Sequence, residues 1–119
     1  MDGPPGKIGH AEIKIGDSMI MLSDEMPGGD GKSPKSLGGS TASVFLYVDD
    51  VDSVFKQAVA AGAKADMPPQ DMFWGERFGK VTDPFGHLWA LATHMEDIQP
   101  EEMKRRTEEY MAKMAQTAG

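Results

Sequence analysis

The chain has 119 residues, enough for one domain with a modest core. Its 19 acidic and 12 basic side chains leave a formal charge of −7, which argues against nonspecific nucleic-acid binding, and the lack of cysteine excludes disulfides, thiolate catalysis and zinc–thiolate sites. No apolar run approaches the roughly 18 residues of a membrane span, and residues 1–6 lack the apolar core of a signal peptide, so the sequence reads as a soluble cytoplasmic protein.

Residues 8–15 alternate as a strand, with Ala11, Ile13 and Ile15 on one face and His10, Glu12 and Lys14 on the other. Gly16-Asp17 is a hairpin signal, and residues 18–23 follow as a second strand that places Met19 and Met21 together. The Gly/Pro/Ser-rich stretch at 26–41 has no apolar period and reads as a linker.

Residues 43–48 form a third strand. Val51, Val54, Phe55, Ala58 and Val59 then make one helical stripe, which Asp50 or Asp52 can cap and Gly62 ends. A short strand at 63–67 is closed by Pro68-Pro69, and another strand is expected near 78–82. In Asp83-Pro84-Phe85-Gly86-His87, Pro84 and Gly86 supply turn chemistry, and residues 88–93 follow as the last strand. Pro100 begins an amphipathic helix over 100–117, with Glu101 and Glu102 at its positive end. The whole is α+β, with helices on one face of a largely antiparallel sheet.

Three segments together carry a family resemblance: Gly9-His10-Ala11-Glu12-Ile13, Phe73-Trp74-Gly75-Glu76-Arg77-Phe78-Gly79 and Asp83-Pro84-Phe85-Gly86-His87. The chain resembles the vicinal-oxygen-chelate superfamily of glyoxalases, bleomycin-resistance proteins and extradiol dioxygenases, and within it an uncharacterised glyoxalase-like branch. The resemblance implies paired βαβββ modules around a shared cavity. Residues 8–23 would be part of a first module, lacking its opening strand and helix, and residues 42–95 a full second one. Residues 1–95 would form a single glyoxalase-like domain followed by the helix at 100–117. The uncovered apolar face of Ile13, Ile15, Ile20 and Leu22 implies a homodimer.

By the same resemblance, family metal positions fall at Ser43 and Ala90, with a third near Met21. None is a usual ligand of a catalytic divalent metal, so no metal and no cofactor are expected. The implied function is small-molecule binding, as in ligand sequestration or antibiotic resistance. The expected ligand-binding residues are His10, Glu12, Met19, Met21, Phe45, Tyr47, Trp74 and Arg77. Arg77 could grip a carboxylate or phosphate and Trp74 could stack on a planar ligand. A solvent-facing Glu76–Arg77 pair beside a Trp that covers the core edge is the plainer alternative. Whether the chain is an enzyme stays open. His10 and Glu12, two apart on one strand face, are the candidate catalytic pair for a lyase or isomerase, with acid–base or atypical metal chemistry.

Overall fold

A computed structural model describes residues 5–26, 28–29 and 31–118, with side chains described to residue 115. Of the expected linker, Pro27 and Asp30 lie outside the described residues, as do residues 1–4 of the N-terminal segment. The chain divides into two compact units, Met1–Gly39 and Ser40–Gly119.

The first unit is a hairpin followed by a short helix. Strands β1 (Ala11–Ile15) and β2 (Ser18–Leu22) pair antiparallel around Gly16, whose φ of 58° belongs to the left-handed region a two-residue turn requires. The register sets Glu12 against Met21 and Lys14 against Met19, so the polar and methionine side chains share one face. Ile13 and Ile20 pair on the other. The expected linker is not wholly irregular. Helix α1 (Pro34–Leu37) forms within it because Ser33 caps it, Pro34 suits its first position and Gly38 closes it with φ 83°. Upstream, the Glu25 carboxylate accepts from the Ser33 backbone N–H. That bond, above all, lowers the Glu25 pKa to about 2.

The second unit is a complete βαβββ module followed by a long helix. Its elements are β3 (Ser43–Tyr47), α2 (Val51–Ala60), β4 (Lys64–Asp71), β5 (Glu76–Thr82), β6 (Leu88–His94) and α3 (Pro100–Ala118). The curled sheet runs β3-β6-β5-β4, with β3 and β6 parallel and the other two pairs antiparallel. The β3–α2–β4 connection carries the chain from one edge of the sheet to the other, so α2 covers one face. Val51, Phe55, Val81 and Leu91 are buried beneath it, with Leu46, Val48 and Trp89 packed around them. Gly79 lets the Phe55 ring approach: a Cβ there would lie 3.4 Å from Phe55 Cδ2 and 3.0 Å from the Met67 carbonyl oxygen.

Strand β4 extends beyond the short segment expected, running through Pro68 and Pro69 to Asp71. The prolines are tolerated because β4 is an edge strand and its register slips on both sides of Met67, so no ladder N–H is needed where they stand.

Three polar devices tie this module together. The Thr93 hydroxyl accepts from Val51 N–H at 2.8 Å and donates to the Val48 carbonyl at 3.0 Å, joining β6 to the start of α2. Asp50 caps the same helix by accepting from Ser53 N–H. In the Asp83–His87 turn, Asp83 Oδ1 accepts from the N–H groups of Phe85 (2.9 Å) and His87 (3.0 Å), while Oδ2 accepts from the Trp89 indole at 3.0 Å. One carboxylate thus both shapes the turn and satisfies a half-buried indole. Arg77 supplies the third device. Its guanidinium makes two bonds to Asp52, in the first turn of α2, at 2.7 and 3.0 Å, and a third to Asp71 on β4 at 3.1 Å. The Arg77 hydrogen bonds hold the Asp52 carboxyl below its ordinary value, and the same partners push the Arg77 pKa upward.

Two predictions follow from these contacts. Asp83→Ala leaves the Trp89 indole unpaired and the turn unsupported, and should cost about 1–3 kcal/mol in urea unfolding; a loss below about 0.5 kcal/mol would contradict this role. Because the folded Asp52 pKa is depressed, its contribution to stability is present above the usual carboxylate value of 3.8 and is lost as pH falls through the folded value. Asp52→Asn should therefore be less stable than wild type at pH 7 and should lose less stability between pH 5 and pH 2. Parallel stability–pH curves for the two proteins would show that the Arg77 clamp contributes nothing.

Candidate functional site

The sheet face opposite α2 is aromatic. Strand alternation sends Phe45 and Tyr47 of β3, Glu76, Phe78 and Lys80 of β5, and Ala90 and Ala92 of β6 to this side. Phe78, Ala90 and Ala92 are buried at its centre, with Met67, Met72 and Trp74 packed around them. The two alanines keep the middle of the sheet flat, so rings from neighbouring strands reach across it.

Those rings touch in series. Tyr47 lies 5.0 Å from Phe45 between centroids, Phe45 is 5.7 Å from Phe78, and Phe78 is 5.8 Å from Trp74 in an edge-on arrangement. Trp74 is 5.0 Å from Phe73, which is 4.7 Å from Tyr110 on α3. All these separations fall within the range of attractive aromatic pairs. Arg106 fastens α3 beside Phe73, donating to the Phe73 carbonyl at 3.2 Å and to Glu96 at 2.6 Å. The series is only partly covered: Phe45 is 49% exposed and Tyr47 60%.

A single carboxylate stands among the rings. Glu76 Oε1 accepts from the Trp74 indole N–H at 2.7 Å. Tyr47 keeps its hydroxyl proton: hydrogen bonding toward Glu76 is the main reason its pKa lies above the ordinary phenol value. The β4–β5 turn positions both groups. Gly75, between Trp74 and Glu76, has φ 87°, and a Cβ there would lie 2.7 Å from the Glu96 carbonyl oxygen. At the same end of the face, a shallow depression of about 250 Å³ is lined by Tyr47, Asp49, Thr93 and His94. His94 pairs with Glu76 across β5 and β6, and its ring contacts Asp97 at 2.8 Å.

The expected site residues distribute over three surfaces. Phe45, Tyr47 and Trp74 come together on the aromatic face. Within the first unit, His10, Glu12, Met19 and Met21 share one face of the hairpin, where His10 Nε2 meets Glu12 Oε1 at 3.1 Å. A histidine–carboxylate pair can move a proton, but both side chains here are about two-fifths exposed to competing water. Arg77 lies on the α2 side of the sheet, one residue out of phase with Glu76 and Phe78, and its guanidinium is bound to Asp52 and Asp71. The Arg77 guanidinium thus clamps Asp52 to Asp71, and among the described residues no Glu76–Arg77 pair forms because neighbours in a strand point to opposite faces. Glu76, Phe78 and Phe73 were not among the expected ligand contacts. Counting alternate positions outward from Phe78 would have found Glu76, whereas the Phe73–Tyr110 contact depends on tertiary packing.

The residues at the family's metal positions do not fit a divalent cation. Ser43, Ala90 and Met21 offer neither imidazole nor carboxylate. Among the described residues, no group of three His, Asp or Glu side chains converges. A second depression, of about 290 Å³, lies on the α2 side between Val54, Ala58 and Trp89. Its one carboxylate, Asp83, is already engaged by the turn and by Trp89. No helix among the described residues is long and apolar enough to cross a membrane.

Comparison with known proteins agrees with this architecture. The chain is 40% identical over 105 residues to the uncharacterized protein Mb0911c of Mycobacterium bovis, covering 86% of this chain and 69% of that one. Two Mycobacterium tuberculosis relatives match at the same identity, and the chain spans 62% of their length. Among solved structures it is similar to TioX from Micromonospora sp. ML1, with 34% identity and a TM-score of 0.58 over 79% of this chain and 75% of that one. It is also similar to PA1353 from Pseudomonas aeruginosa, with 28% identity and a TM-score of 0.62 over 80% and 73%. Residues 2–91 match the profile of the Glyoxalase/Bleomycin resistance protein/Dioxygenase superfamily, and the chain belongs to that superfamily.

Proposed function

We propose that this chain is a small-molecule-binding protein of the glyoxalase/bleomycin-resistance type, which seats a planar apolar ligand on the aromatic face without a metal chelate. Sequestration of such a ligand, of the kind that confers antibiotic resistance, is the activity this reading assigns. The observation that carries it is the series of ring contacts from Tyr47 through Phe45 and Phe78 to Trp74, left partly exposed on one sheet face. Large apolar groups gathered on one face and joined by a few fixed polar groups suit a ligand surface. The depression on the α2 side suits one less well, since Trp89 is the one aromatic ring in its lining.

The two faces should separate in mutagenesis. Phe45 is half exposed, so Phe45→Ala should change unfolding stability by less than about 1 kcal/mol, yet weaken binding of planar aromatic compounds by about tenfold in isothermal titration. Leu91→Ala, in the core under α2, should instead lose about 2–5 kcal/mol of stability. Silence of the wild type across a broad panel of planar compounds, or unchanged affinity in Phe45→Ala, would contradict the proposal.

A further inference from the structure

The aromatic face differs in charge from end to end. Near one end, the Lys80 ammonium lies 5.8 Å from the Phe78 ring centroid, so this ring already has a cation beside it. At the other end stand Glu76, oriented by the Trp74 indole and near the Tyr47 hydroxyl, and Asp49, which lines the depression beside Tyr47. Arg77, the nearest cation in sequence to Glu76, is on the opposite face and occupied by Asp52 and Asp71. Arg106, near Phe73, is bound to Glu96.

A carboxylate held by an indole donor among aromatic rings has a definite chemical complement. The indole N–H fixes its position, and its remaining lone pairs can accept from a ligand donor. Negative ring faces beside it attract the same positive charge. A ligand anion would meet Glu76 and Asp49, while the guanidinium groups of Arg77 and Arg106 are engaged by other carboxylates.

Building on the ligand-binding reading above, we infer that the Tyr47–Trp74–Glu76 end of the aromatic face selects a planar aromatic ligand bearing a protonated amine or amidine. The flat ring system stacks against Phe45 and Tyr47, the exposed rings of the series, and the cationic nitrogen donates to Glu76. No bond is made or broken, and selection arises from charge-assisted hydrogen bonding together with ring–cation attraction.

The chain's two tryptophans provide the test, because Trp74 lies on the aromatic face while Trp89 lies on the α2 side and donates to Asp83. Two near-isosteric probes, 9-aminoacridine (cationic at pH 7.5) and acridine (neutral there), would be titrated while the two indole N–H signals are followed by NMR. The expected result is that 9-aminoacridine binds about tenfold more tightly than acridine, moves the Trp74 signal and leaves the Trp89 signal in place. Glu76→Gln should bring the two affinities to within about twofold, with an unshifted Trp89 signal reporting an intact fold. Equal wild-type affinities would overturn the charge selection alone. A preference that survives Glu76→Gln would also overturn it, because attraction to the overall charge of −7 would then be the cause. If neither probe moves the Trp74 signal, the aromatic face is not the ligand surface, and both this inference and the reading beneath it fail.

Discussion

A four-stranded sheet has two faces, and in this module a single ten-residue helix covers one of them. The parallel pairing of β3 with β6 fixes which face that is. The chain leaves β3, forms α2 and re-enters at the far edge as β4, so the helix must lie across the sheet on one side. Thr93 locks the arrangement by bonding the first helical N–H and the end of β3 with one hydroxyl. Val51 next to it is 1% exposed, so the lock sits at a buried point of the core.

The two faces diverge chemically because of this constraint. Under α2 the contacts are largely aliphatic, with the Phe55 ring set against the bare backbone of Gly79 and Trp89 at the margin. The opposite face gathers rings around two small residues, Ala90 and Ala92. Ala90, the position at which the family resemblance puts a metal ligand, lies beneath the rings. Polar groups follow the same division: Arg77 closes the helix side with Asp52 and Asp71, and Glu76, one residue earlier, joins Trp74 and Tyr47 on the aromatic side.

Much of the fold is legible in local chemistry. The apolar stripe from Val51 to Val59, the capping Asp50 and the Asp83–His87 turn each announce their element through spacing or turn residues. The exceptions have physical causes. A four-residue helix at Pro34–Leu37 is too short to show a period and rests on its caps. Prolines usually end a strand, but β4 carries two because edge position and register slips remove the need for their N–H groups. The candidate site is less legible. Phe45 and Tyr47 follow from alternation within β3, but the role of Arg77 depends on Asp52, 25 residues away in sequence and brought beside it only by the βαβ connection. The sequence pattern alone places the start of β5 near Phe78. The observed strand begins at Glu76, and that two-residue extension decides which face Glu76 and Arg77 occupy.

The central claim is that the uncovered aromatic face, and not the helix side, receives a ligand. A crystal structure with a bound planar aromatic compound tests it most directly. The account predicts the compound stacked against the exposed Phe45 and Tyr47 rings with its edge toward Trp74 and Glu76. A compound seated in the depression between Val54, Ala58 and Trp89, with the aromatic face left bare, would contradict it.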